Sequence, residues 1–137
     1  QRCVEMKRDV VTRDEFDNGE RRLLNLGHTV GHGVEAGSNF SLSHGKGVSI
    51  GMAIIARSAV NYRLLSLENA RKIENILYAF HLPIRTEQAA KTLAEYALSD
   101  KKRAGSTVSL IIPRAIGRCE ILPTPVEQLE EFISAGL

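Results

Sequence analysis

Tryptophan is missing from the 137 residues, aromatic side chains make up only 5%, and cysteine occurs twice, at Cys3 and Cys119. Two cysteines so far apart, without CxxC spacing, exclude a thiolate zinc knuckle and give no disulfide framework, so both read as free, inert thiols. Basic tracts are missing too. Eighteen Lys and Arg against sixteen Asp and Glu leave a formal charge of +2, which argues against a nucleic-acid or membrane-surface protein. No apolar run is long enough to span a bilayer, since the strongest, Val48 to Ala56, is interrupted by Ser49 and Gly51. Neither a basic n-region with a cleavage site, nor a repeat, nor a low-complexity linker is present, and a cytoplasmic location is expected. What remains, 43% apolar and 25% charged residues, is the composition of one globular domain large enough to bury a core. A nearly neutral chain of this kind must recognise its partners through a site.

The opening residues Gln1 to Lys7 enter directly on a helical pattern (Val4, Lys7, Val11) with no initiator Met and no capping residue, as in a piece of a longer chain. The polar stretch Thr12 to Gly19 should be a loop. Leu23, Leu26, Val30 and Val34 then recur on one helical face, predicting a helix from Glu20 to Ala36 that ends at Gly37-Ser38-Asn39. Gly45 to Arg63 is apolar almost all round, as in a helix at the centre of a bundle. Ser66 can cap a helix with the stripe Leu67, Ala70, Ile73, Leu77 and Phe80, stopped before Pro83, and Thr86 can cap another with Ala89, Leu93, Ala94 and Ala97 facing inward. β-Branched Thr107 to Ile112, ending at Pro113, and Arg118 to Leu122 predict a hairpin. Thr124-Pro125-Val126-Glu127 reads as a capping box opening a terminal helix through Leu129, Phe132 and Ile133. The expected class is mostly α, a helical bundle with a small β-hairpin, in a single domain over residues 1–137.

Chemistry concentrates on the helix predicted from Glu20. At about 100° per residue, Arg21, Asn25, His28 and His32 fall within a sector of roughly 60°, opposite the apolar face. A solvated face is the ordinary alternative, but such faces carry Glu, Lys and Gln rather than a guanidinium, an amide and two imidazoles. Gly27, Gly31 and Gly33 each cost a helix interior about 1 kcal/mol relative to Ala, which implies close approach of another backbone or a ligand. Histidines at i and i+4 can share one metal, although Thr29 stands where a zinc peptidase carries its general-base Glu. The loop from Gly37 to Ser43 can return His44 beside His28 and His32, making a zinc or iron site possible. His81, alone at a helix end, reads as structural. Lys101-Lys102-Arg103 reads as a solvated turn on its own, Gly45-Lys46-Gly47 lacks the phosphate-loop pattern, and Gly31-x-Gly33 follows no strand and is no dinucleotide fingerprint.

The run Leu24-Asn25-Leu26-Gly27-His28-Thr29-Val30-Gly31-His32, with Ser43-His44-Gly45 and Gly51-Met52, resembles the C-terminal domain of the 3-dehydroquinate synthase family. The likeness continues through Ser99-Asp100-Lys101-Lys102-Arg103 and the hairpin Leu110 to Gly117, so it covers essentially the whole chain. It implies an N-terminal NAD-binding α/β domain outside this chain and conversion of 3-deoxy-D-arabino-heptulosonate 7-phosphate to 3-dehydroquinate and phosphate, in the shikimate pathway of aromatic amino acid biosynthesis. It also implies Zn2+ or Co2+, NAD, and a homodimer at full length. Carried over by motif, His28 and His44 would be metal ligands, with a third ligand, a Glu, on the other domain. His32, Lys7 and Asn25 would be catalytic, His32 moving a proton near the phosphate leaving group. Lys7, Arg21, Asn25, His32 and Lys101 would bind substrate, their fixed cations matching an anionic sugar acid. One departure stands out: the family usually has an acidic residue after the His-Gly pair, where this chain has Lys46, so support for His44 is expected to differ. Related sugar phosphate cyclases such as 2-deoxy-scyllo-inosose synthase are the alternative on the same scaffold. Metal-dependent polyol dehydrogenases and a non-enzymatic helical module are more distant ones. The isolated chain is expected to be inactive.

Overall fold

The computed structural model describes residues 2–14, 19–99 and 106–137. Helix α1 (Arg2–Arg13) is followed by a 3-10 turn (Glu20–Asn25), then α2 (His28–Gly37), α3 (His44–Asn61), α4 (Leu67–Ala79) and α5 (Ala90–Ser99). Strands β1 (Thr107–Ala115) and β2 (Arg118–Pro125) form an antiparallel hairpin, and a 3-10 turn (Val126–Gln128) leads into α6 (Leu129–Ser134). The architecture is the expected one, helical with a two-stranded sheet. Lys101 lies outside the described residues.

Helix α3 is the central element, because its apolar residues face every direction. Ile50, Ile54, Ile55, Ala56 and Ala59 are all buried, against Val30 and Val34 of α2, Leu93 of α5, Leu110 and Ile112 of β1, and Leu129 and Ile133 of α6. Each fully buried Leu, Ile or Val contributes about 1.5–3 kcal/mol. Polar pins fix the far end of α3. Ser58 Oγ donates to the Phe132 carbonyl at 2.6 Å. The Arg57 guanidinium holds Glu74 at 2.6 Å and the carbonyls of Ile84 and Gly136 at 2.8 and 3.2 Å, tying α3 to α4, to the segment after α4 and to the chain end.

The largest departure from expectation lies at the start of α2. The predicted helix from Glu20 to Ala36 is two pieces, divided at Leu26 and Gly27, and Gly27 sits at φ 81, in the left-handed region. Periodicity could not reveal the break, because the apolar spacing runs straight through it. A Cβ on Gly27 would stand 2.6 Å from the backbone nitrogen of Met52 and 2.7 Å from the Val48 carbonyl. The break is where α3 presses in.

Smaller corrections follow from local competition. Thr12 and Arg13 extend α1 rather than the loop. Leu67 and Phe80 are exposed and leave the stripe to Ala70, Ile73 and Leu77, while Ser66 caps α4 as expected, accepting from the Asn69 amide. Thr86 instead accepts from the Gln88 amide in a local turn, so α5 starts later, at Ala90, and Ala89 is exposed. Pro113 does not end β1; a register irregularity between Pro113 and Ala115 absorbs its missing N–H. No capping box forms at Thr124, whose hydroxyl bonds the Leu122 carbonyl while the sheet runs on to Pro125.

Candidate metal centre and adjoining cavity

Two backbones in contact build this site. A Cβ on Gly31 would stand 2.9 Å from Val48 Cα and 3.0 Å from the Gly47 carbonyl, and one on Gly51 would collide with the Gly27 carbonyl and stand 2.8 Å from the Gly31 nitrogen. The glycines therefore do what the sequence implies, admitting another backbone, and Gly33 does the same against the Leu93 carbonyl of α5. At this separation the first residue of α3 comes to lie beside the first two turns of α2. The connecting loop reverses with Asn39 and Phe40 at φ 51 and 58.

Three imidazoles thereby converge. Ring centroids are 5.3 Å apart for His28 and His44, 5.6 Å for His32 and His44, and 6.1 Å for His28 and His32. His28 is partly buried, and burial pushes its pKa below the ordinary imidazole value, with the other two histidines adding to that and carbonyl bonds opposing it. Its Nδ1 lies 3.4 Å from the Leu26 carbonyl, an acceptor made available by the helix break. A proton held on Nδ1 leaves Nε2 as the donor atom for a metal.

Glu35, which sequence reasoning missed, completes the cluster. Its Oε2 is 2.9 Å from His44 Nδ1, and donor atoms of His32, Glu35 and His44 lie within 4.8 Å of one another. Its signal was its place three residues after His32 and seven after His28, on the same side of α2. The carboxylate at His44 Nδ1 thus belongs to α2, while Lys46, which follows the His44-Gly45 pair, is exposed in the first turn of α3. The donor set of imidazoles and a carboxylate suits zinc or cobalt.

Beside the cluster, a cavity of about 540 Å³ is lined by Cys3, Met6 and Lys7 of α1, by Arg21, Leu24 and Asn25 of the 3-10 turn, and by His28. Lys7, Arg21, Asn25 and His28 meet there even though the continuous helical stripe does not exist. Asp14 orders this turn by accepting from the Gly19 and Arg21 amides at 2.7 and 3.0 Å, and Arg13 is paired with Glu20 at 2.8 Å. His32 stands on the other side of His28, within the histidine triangle. His81 is far from this chemistry in role: it is exposed, at φ 56, where α4 ends. Cys3 is exposed, whereas burial raises the thiol pKa of half-buried Cys119. Maleimide should therefore label Cys3 well before Cys119, as read by peptide mass spectrometry. Faster labelling of Cys119 would contradict these exposures and the raised thiol pKa.

Gly31 and Gly33 lie inside α2, where each meets the backbone of a neighbouring helix. No helix of the described residues is long and apolar enough to cross a membrane.

Comparisons with known proteins place the chain in one family and one fold. The family model described as 3-dehydroquinate synthase C-terminal matches residues 1–103. A 3-dehydroquinate synthase of Enterococcus faecalis is 36% identical over 134 residues, covering 96% of this chain and 37% of that protein. One from a Shewanella strain is 37% identical over 136 residues, covering 96% and 38%. The chain thus spans a little over a third of these relatives. Among solved structures, a 2-deoxy-scyllo-inosose synthase complexed with carbaglucose-6-phosphate, NAD+ and Co2+ superposes with a TM-score of 0.79 at 18% identity, covering 98% of this chain and 39% of that one. A 2-epi-5-epi-valiolone synthase from Streptomyces hygroscopicus with NAD+ and Zn2+ bound gives 0.79 at 23% identity, covering 96% and 37%.

Proposed function

Because the chain belongs to the 3-dehydroquinate synthase family, we propose that it supplies the metal- and substrate-binding part of an enzyme converting 3-deoxy-D-arabino-heptulosonate 7-phosphate to 3-dehydroquinate and phosphate. The observation that carries this reading is the junction at His28, which belongs both to the histidine triangle and to the cavity holding Lys7, Arg21 and Asn25. His28 and His44, the closest pair of rings, hold the metal from this chain, with a further ligand from the rest of the protein. The metal, when bound, lowers the pKa of coordinated substrate hydroxyls.

The other residues act on the substrate directly. Lys7 and Arg21 place two fixed cations in the cavity, and a planar guanidinium matches a carboxylate or phosphate through paired N–H donors. Asn25 offers both a donor and an acceptor to hydroxyls between those charges. His32, on the exposed side of the triangle, can take up or return a proton at a ring nitrogen near the leaving phosphate. Lys101 is assigned to the substrate on its motif alone. NAD is assigned to a domain outside this chain on the family relation, the chain covering 37% of the Enterococcus relative. That division predicts an inactive isolated chain.

The test is phosphate release from the heptulosonate phosphate by the protein at its full native length, with NAD, before and after chelation. Release that depends on metal and builds up no NADH supports the reading. No release by folded, metal-loaded protein overturns it, and release instead from a hexose phosphate lacking the carboxylate assigns the site to a sister cyclase.

A further inference from the structure

We propose that Glu35 is a positioning residue for the metal centre: it accepts the Nδ1 proton of His44 and so presents Nε2 of that ring to the metal. The inference rests on the metal-site reading above and adds to it a residue from the opposite helix. His44 needs such an anchor, because it opens α3 with its side chain 57% exposed, and its edge contacts with the His28 and His32 rings do not decide which of its nitrogens carries the proton. Glu35 can provide one, because its own side chain is only 15% exposed and is held on α2, the element that carries His28 and His32. The contact of 2.9 Å is a hydrogen bond of good length for an imidazole and a carboxylate.

The path between them is open for a structural reason. A Cβ on Gly47 would stand 2.8 Å from Glu35 Cγ, so the bare backbone at this position of α3 is what lets the Glu35 side chain lie where it does. The nearest side chain following the His44-Gly45 pair is Lys46, a cation that has no acceptor to offer a ring N–H. Acceptance of Nδ1–H by a carboxylate fixes the tautomer, raises the basicity of the opposite nitrogen and limits rotation of the ring. Glu35 could instead be a ligand itself, together with His32 and His44, since their donor atoms are close enough. Its bond to Nδ1 of a neighbouring ligand favours the positioning role, and the two roles give different results on conservative substitution.

The experiment compares Glu35→Gln and Glu35→Ala with the native protein, at full native length, by competitive titration of Co2+ and by the visible absorption of the bound cobalt. Glu35→Ala should weaken cobalt binding about 10–100-fold and alter the spectrum. Glu35→Gln, whose amide oxygen still accepts from Nδ1–H, should recover most of the affinity and the native spectrum. Native affinity and spectrum in Glu35→Ala would overturn the proposal, as would a Glu35→Gln protein as weak as Glu35→Ala, which would make the carboxylate a ligand. Failure of the native protein to bind cobalt at all would instead remove the metal-site reading beneath it. Thermal melts of both variants separate these outcomes from misfolding, and the glutamine variant, closest in shape, decides if the alanine variant does not fold.

Discussion

Replacement of His44 by Ala is expected to abolish stoichiometric zinc and reduce phosphate release by the full-length protein to the level of the chelated enzyme. Outer partners of a metal ligand are worth about 10–100-fold in affinity, so loss of a donor that directly holds the ion should exceed about 100-fold. The fold should survive, because His44 lies at the exposed start of α3 and its ring contacts His28, His32 and Glu35 rather than the core. His81→Ala is the control, an exposed histidine at the end of α4 that should leave metal content and phosphate release unchanged. His28→Ala should match His44→Ala in metal loss but cost more stability, since His28 is partly buried. Metal analysis after dialysis checks all three. Full zinc content in both His28→Ala and His44→Ala would move the ligands elsewhere and sink the proposed site.

The parts of this protein that a sequence can show are those set by local chemistry and by residue type. His28, His32 and His44 were recognisable together because a polar loop of suitable length separates them and because imidazoles are out of place on an ordinary solvated face. Gly27, Gly31 and Gly33 announce a close contact, because three glycines at helical spacing are costly unless another backbone or a ligand approaches them. Which backbone was not legible: Gly31 meets α3, whereas Gly33 meets α5. The helix break at Gly27 was hidden for the same reason, since the contact that favours a left-handed glycine there is with Val48 and Met52, more than twenty residues away. Arg21, Asn25 and His28 therefore do not form one helical stripe, because a 3-10 turn and α2 replace the continuous helix. The residues still share a cavity because α1, not helical phase, closes the other side of it. Glu35 was missed because a glutamate on a helix is the least distinctive residue there; only the return of α3 makes it a partner of His44. The capping residues divided by their surroundings: Ser66 had no competitor for its helix, whereas Thr124 belonged to a strand whose pairing continued past it.

Gly51→Ala should be among the most damaging single-methyl changes in the protein, and the reason joins fold to function. In an isolated helix the substitution favours α3 by about 1 kcal/mol. Here the new Cβ would collide with the Gly27 carbonyl and stand 2.8 Å from the Gly31 nitrogen. Those two atoms are themselves joined by a hydrogen bond of 2.8 Å, the first of α2, so the methyl group would wedge between a donor and its acceptor. Backbone cannot rotate away as a side chain can, and overpacking of this kind costs about 1–3 kcal/mol or more, even before the broken bond. A net loss of at least about 2 kcal/mol is expected, a large share of the roughly 5–15 kcal/mol that holds a typical domain folded. For a chain of this size that is a fall of about 7 °C in Tm or more. Metal affinity should fall with it, because separating α2 from α3 separates His28 and His32 from His44. Gly45→Ala, six residues earlier on the same helix and with nothing within 4 Å of its added Cβ, should leave Tm unchanged or slightly raised. If the two variants melt together and bind zinc equally, the backbones of α2 and α3 are not in contact, and the close approach that assembles the three histidines is wrong.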